Sequence, residues 1–166
     1  KQKRPFVAKS LDLRSKKAAS VEQQLRTLGC RVVKMAADGN CLFRALSDQF
    51  YGSPKHHRAV RSAIVEHMRE HKDTFEPFVE DDIDFATYCL LMNEDQKWGG
   101  QQELYAASTL LACNICIHCL NEPMLELNID EETKKRKQYK GDVRTLHVCY
   151  CRGNHYDSVR ALGDKS

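Results

Sequence analysis

The sequence predicts an α+β domain, with helices first and packed on a small central β-sheet drawn mostly from the later part of the chain. Three observations predict it. Apolar residues recur at helical spacing after Ser20, Asn40, Pro54 and Gly100. Short β-branched or apolar runs fall at 30–35, 113–119, 123–129 and 145–151. Gly29, Gly52, Gly99, Gly100 and Gly153 punctuate the segments between them.

A length of 166 residues with 42% hydrophobic content suits one domain with a real core. The first thirty residues lack the apolar stretch of a secretory signal, and no apolar run approaches the ~20 residues of a membrane span. The expectation is an intracellular monomer, cytoplasmic with the nucleus as a second compartment and without a membrane partner. Its eight cysteines are then thiols. The net charge of +3 is unevenly placed. Lys1, Lys3, Arg4, Lys9, Arg14, Lys16 and Lys17 meet only Asp12 in the first seventeen residues, so the remainder is mildly acidic. Residues 1–19 read as a basic, flexible arm and 20–166 as a single domain. A solvated tail accounts for such an arm better than nucleic acid does, and nucleic acid is not expected as a partner.

The elements follow in order. Ser20 with Gln23 has the capping-box pattern, and Val21, Leu25 and Leu28 form one stripe, which predicts a helix over 20–28 closed by Gly29. Residues 30–35 read as a strand leading into Asp38-Gly39-Asn40-Cys41. Leu42, Phe43, Leu46 and Phe50 then predict a helix over 41–51, ended by Gly52. Pro54 opens an amphipathic helix to about residue 71, with Val60, Ile64, Val65 and Met68 facing inward. His56, His57, His67 and His71 lie on or near it. His67 and His71 have the spacing of a metal pair, but no cysteine or acidic cluster is evident to complete it, so a solvated polar face is expected.

Residues 73–84 are acidic with aromatic anchors, and Asp81, Asp82 or Asp84 starts a helix over 85–92. Trp98-Gly99-Gly100 turns into a helix over 101–112. Cys113, Cys116 and Cys119 form a C-x-x-C-x-x-C pattern, but on a strand Cys116 points away from the other two, so structural thiols and no metal are expected. Residues 123–129 read as the next strand and the charged stretch 130–142 as a solvated hairpin connection. A core strand over 145–151 follows, then a turn at Arg152-Gly153-Asn154 and a last strand over 155–159.

Two stretches carry chemistry. Cys41 falls where a helix begins, and the first backbone N–H groups of a helix have no internal acceptor. A thiol at such an end has its thiolate favoured, and the same N–H groups can hold an oxyanion. Gly39 can take positive φ and lets a substrate backbone approach. Asn40 either lends a donor or caps the helix. Far downstream, His155-Tyr156-Asp157 places a base with a carboxylate two residues on, on the same face of a strand.

These blocks, together with Trp98-Gly99-Gly100-Gln101-Gln102-Glu103-Leu104 between them, resemble the OTU (ovarian tumour) cysteine proteases from about Leu25 to about Leu162. The resemblance implies a papain-like fold and a deubiquitinase without a cofactor. Its partner would be ubiquitin or polyubiquitin. Cys41 would attack the carbonyl of a ubiquitin C-terminal glycine, His155 would move the protons, and a thioester would be hydrolysed. Two groups are available to orient His155. The family commonly assigns the position of Asp38 to the active site; here Asp157 is expected as the direct orienter and Asp38 as a positioning residue of the nucleophile loop.

The resemblance also suggests a narrow channel for a diglycine tail at Gly99 and Gly100, with an ordinary loop packed by Trp98 as the other reading. Tyr156 belongs either beside the imidazole or in the core. An acidic rim at Asp81 and Asp82 would complement the arginines of a ubiquitin tail. Proteolysis of another ubiquitin-like modifier, or ubiquitin binding without catalysis, are the competing functions.

Overall fold

Capping signals in the sequence set the element boundaries. The computed structural model describes residues 18–79, 82–136, 142–151 and 153–164. Helix α1 (Val21–Thr27) starts at Ser20, whose Oγ accepts from Gln23 N, while Gln23 Oε1 reaches back to the Ala19 N–H, one residue before the cap. Strand β1 (Cys30–Val33) follows, and α2 (Cys41–Tyr51) stops at the left-handed Gly52. Pro54 opens a single 3-10 turn (Pro54–His56) before α3 (His57–Glu70), with the short α4 (Lys72–Phe75) after it. Asp84 caps α5 (Phe85–Met92) through Thr87 N at 3.0 Å. The chain continues through α6 (Gln101–Leu111), β2 (Asn114–His118), β3 (Leu125–Leu127), α7 (Glu131–Arg136), β4 (Thr145–Cys151) and β5 (His155–Ala161).

The five strands form one sheet in the order β1-β5-β4-β2-β3. Only the β2–β4 pair is parallel; its neighbours are antiparallel. Helices α2, α3, α5 and α6 bury Leu42, Phe43, Leu46, Ile64, Met68 and Leu104 against Ile115, Leu146 and Val148 on one face. Each such side chain contributes about 1.5–3 kcal/mol of transfer free energy. Helix α1 covers the other face with Val21 and Leu25 against Cys149 and Val159.

Helix α2 is pinned lengthwise along β5. Gln49 Nε2 donates to Ser158 Oγ (2.8 Å) and Val159 O (2.7 Å), while its Oε1 accepts from His147 N of β4 (2.7 Å). Beside it, buried Asp48 pairs with Arg160. The C-terminal half of α2 is therefore locked to the C-terminal half of β5.

The sequence reading departs from the structure in three places. Stretch 130–142 is not a simple hairpin connection. Asp130 caps α7 by accepting from Thr133 N at 2.6 Å, and β3 pairs with β2 at the sheet edge rather than with β4. His67 is not on a solvated face: it is buried and 2.9 Å from Thr109 of α6. It follows Ile64 by three residues, the spacing of the inward stripe. The 54–71 segment is a 3-10 turn and a helix, not one helix. The basic arm 1–17 and Asp81 lie outside the described residues. No helix among the described residues is long and apolar enough to cross a membrane.

Candidate active site

Cys41 is the first residue of α2 and is largely buried. The first bond of that helix runs from Arg44 N to Asn40 O (2.9 Å), so the N–H groups of Cys41, Leu42 and Phe43 lie at its open, electropositive end. The preceding loop is tied from several sides. Asp38 Oδ1 accepts from Asn40 N at 3.1 Å, and its Oδ2 pairs with Arg44 Nη2 at 2.5 Å. The Arg44 guanidinium holds the Asp38 carboxyl down to about 2.

Asn40 does not cap the helix with its side chain. Its Oδ1 instead accepts from Arg61 Nη2 (2.7 Å) and from Gln96 N (3.1 Å). Gly39, at φ +78°, meets the chain rather than a substrate: a Cβ there would fall 1.9 Å from the Gln96 carbonyl oxygen. Asn40 and Gly39 interlock the nucleophile loop with the 93–98 turn, where Gln96 is itself left-handed at φ +66°.

Arg61 is the clamp of that interlock, and the sequence reading missed it. Its guanidinium is buried on α3, donating to Met92 O (2.8 Å), Lys97 O (2.7 Å) and Gly39 O (3.3 Å) besides Asn40. It also lies 3.9 Å above the Phe43 ring. Arg61 lies one residue after Val60 on the inward face of α3, a position that burial by an apolar pattern would have flagged as anomalous.

His155 opens β5, and its Nε2 lies 3.1 Å from Asp157 Oδ1. Asp157 is fully buried and well satisfied. Its Oδ1 also accepts from Met35 N at 2.7 Å, and its Oδ2 from Lys34 Nζ at 3.1 Å, with Cys151 Sγ at 3.6 Å. The Met35 N–H and the Lys34 ammonium can only donate, so the Asp157 carboxyl oxygens meet them as acceptors. The histidine proton therefore lies on Nε2 and Nδ1 carries the lone pair. Asp38 makes its bonds to Arg44 and Asn40 instead, and among the described residues none to His155.

The α2–β5 lock brings Cys41 and His155 to the same end of the molecule. Going back from Gln49 to Cys41 covers about 12 Å of helix. Going back from Ser158 to His155 covers about 10 Å of strand, and Tyr156, next to His155, lies within electrostatic reach of Cys41. The described hydrogen bonds include none between Cys41 and His155; the pair is aligned by the two elements that carry it.

The remaining candidates separate. Gly99 packs on the first turn of α2, where a Cβ would meet Leu42 and Phe43 at 2.9 Å. Gly100 begins α6 in open space, and its N–H is taken by Glu103 Oε2 at 2.7 Å. Trp98 does not pack the loop: it is 59% exposed. Tyr156 is in the core, its ring 4.9 Å from that of Tyr150, and burial pushes its hydroxyl up to about 12. Cys113 packs with Ile115 and Ile117 in the helix-side core, with Cys119 against the same cluster, whereas the intervening Cys116 is not part of it. Burial pushes the thiols of Cys113 and Cys149 up to about 12.

The model of the family described as OTU-like cysteine protease matches residues 36–156. An Arabidopsis thaliana protein described as OVARIAN TUMOR DOMAIN-containing deubiquitinating enzyme 7 is 40% identical over 141 residues, 85% of this chain and 36% of that one. The chain thus spans about a third of that relative's length. Among solved structures, the OTUD1 OTU domain superposes with a TM-score of 0.72 at 26% identity, covering 84% of this chain and 91% of that one. The Hazara virus OTU bound to ubiquitin superposes at 0.64 with 21% identity, covering 81% and 83%; at that identity the likeness is one of fold.

Proposed function

The chain belongs to the OTU-like cysteine protease family, and from that premise we propose that it is a deubiquitinase, a thiol-dependent isopeptidase that removes ubiquitin from lysine side chains or polyubiquitin. The observation that carries the reading is the buried Met35–Asp157–His155 array on β5, the strand to which the helix that begins at Cys41 is locked. A relative named as a deubiquitinating enzyme supports the substrate class.

In this mechanism His155 Nδ1 takes the Cys41 proton, and the thiolate sulfur attacks the carbonyl carbon of the terminal glycine. The backbone N–H groups at the start of α2 stabilise the oxyanion. As the C–N bond breaks, His155 returns its proton to the lysine amine, leaving a thioester on Cys41. Water, deprotonated by the same nitrogen, then releases the ubiquitin carboxylate.

Asp157 fixes the tautomer and orientation of the ring, and Asp38, through Arg44 and Asn40 N, shapes the nucleophile loop. Gly39 and Asn40 hold that loop against Gln96. Gly99 packs on the first turn of α2 beside Cys41, exposed Trp98 and Gly100 next to it offer a surface to the incoming tail, and Tyr156 supports β5 from within the core. None of the eight cysteines forms a disulfide, the state that a reducing, intracellular setting maintains.

The test is reaction with a ubiquitin whose C-terminus carries a thiol-reactive group, read by intact mass. One adduct on the wild type and none on Cys41→Ala is expected. No adduct on the folded wild type, with labelling by a probe built on a different modifier, would replace ubiquitin by that modifier. No labelling by any probe would leave a binding module.

A further inference from the structure

At the far end of α3 a second cluster of ligand-type side chains stands apart from the Cys41 loop. His67 and Glu70 lie on the last turn of α3 and His71 is its C-cap. One potential donor atom from each lies within 4.8 Å of the others. The cluster opens onto a cleft of about 210 Å³ whose walls include Thr109, Asp130 and Glu132.

The hydrogen bonds around the two imidazoles decide which nitrogens carry lone pairs. Thr109 Oγ1 lies 3.2 Å from Tyr105 O and 3.1 Å from Ala106 O. With the Thr109 hydroxyl donating to one of these carbonyls, its oxygen accepts from His67 Nε2, 2.9 Å away, and His67 Nδ1 is the lone-pair nitrogen. His71 Nδ1 lies 2.9 Å from the His67 carbonyl oxygen, so in the neutral ring it carries the proton and Nε2 the lone pair. Both rings are oriented by donating their other N–H to a hydroxyl or a backbone carbonyl, which is how proteins orient metal-ligating histidines.

We propose that His67, Glu70 and His71 form a binding site for a divalent transition-metal ion of the zinc class. Two imidazoles and one carboxylate are a zinc donor set, and softer cations would prefer thiolates. The fourth position opens to the cleft and takes water or the carboxylate of Asp130 or Glu132. An ion there would tie the end of α3 to the start of α7, away from the reacting thiol.

The test uses the whole chain carrying Cys41→Ala, so that the proposed nucleophile cannot hold metal, titrated with Co²⁺ and then Zn²⁺ under reducing conditions. One equivalent bound at micromolar free ion is expected, with d–d absorption and no thiolate-to-cobalt charge-transfer band. Adding His71→Ala should abolish binding and Glu70→Gln should weaken it at least tenfold. Thr109→Val, which removes the acceptor of His67 Nε2, should cost ~10–100-fold, while Thr109→Ser keeps affinity. Glu70 is exposed, so its variant decides the matter even if the histidine variants fold poorly. Failure to bind an equivalent of either ion, a thiolate charge-transfer band at that stoichiometry, or binding unchanged in Glu70→Gln would overturn the assignment.

Discussion

Two glycines with the same backbone conformation isolate the interlock that holds the nucleophile loop. Gly39 and Gly52 have φ of +78° and +74°. An alanine at Gly52 would meet nothing within 4 Å, so Gly52→Ala carries only left-handed strain, about 1–2 kcal/mol. Gly39→Ala carries the same strain and more. Its Cβ would lie 1.9 Å from Gln96 O and 2.6 Å from the carbonyl carbon, where real contacts stay beyond 3.0 Å. The 93–98 turn must therefore retreat by more than 1 Å. That breaks Gln96 N to Asn40 Oδ1 and draws Lys97 O away from Arg61. Each buried group left without its partner costs about 1–3 kcal/mol, so with the strain and two such losses Gly39→Ala should lose about 3–8 kcal/mol in total.

Equilibrium urea unfolding of the two variants and wild type, with the ubiquitin-probe labelling rate read in parallel, measures the difference. Gly39→Ala should be at least 2 kcal/mol worse than Gly52→Ala and lose labelling in its folded fraction. Equal destabilisation, within the error of the extrapolation, would refute the interlock.

Asp157→Ala should lower kcat about a hundredfold or more, since it removes the acceptor of His155 Nε2–H, while Asp38→Ala should lose stability with kcat near normal; steady-state kinetics with the opposite pattern would exchange their roles. The Asp38–Arg44 pair also predicts an acid limb. Because the folded carboxyl sits near 2 against an ordinary 3.8, its stabilisation is complete above about pH 4 and is lost as pH falls towards 2. The stability gap between wild type and Asp38→Asn should close across that window in unfolding curves. In native protein treated with iodoacetamide, Cys113 and Cys149 should stay unmodified until the chain unfolds, by peptide mass mapping, because burial keeps both as thiols.

What the sequence revealed was local. Caps at Ser20 and Asp84, the Gly52 stop and the period-two pairing of His155 with Asp157 each depend on residues within a few positions of one another. What it hid was long-range. Asn40 looks like a helix cap because Asn often is one, yet its amide is taken by Arg61 and by Gln96, 56 residues away. Arg61 reads as a surface charge until Met92, Lys97 and Gly39 surround it. The place of β3 could not be read either, since pairing with β2 rather than β4 depends on which edge the sheet leaves open. His67 and Glu70 were within reach, because adding the spacing of Ile64 to that of His67 turns the imidazole inward and brings the carboxylate beside it.

The position of β5 governs when this chain can become reactive during synthesis. It follows the other four described strands in sequence, yet it lies between β1 and β4 rather than at an edge. A nascent chain elongated only through β4 lacks the histidine and the acid, and its β1 has no strand to pair with. Cys41 would then be an ordinary thiol on an unanchored helix. Insertion of β5 closes the sheet, grips α2 through Gln49 and Asp48, and delivers His155 in one event. Because those contacts join residues more than a hundred positions apart, they form late and slowly. The bonds that orient His155 are thereby assembled only with β5 in the sheet.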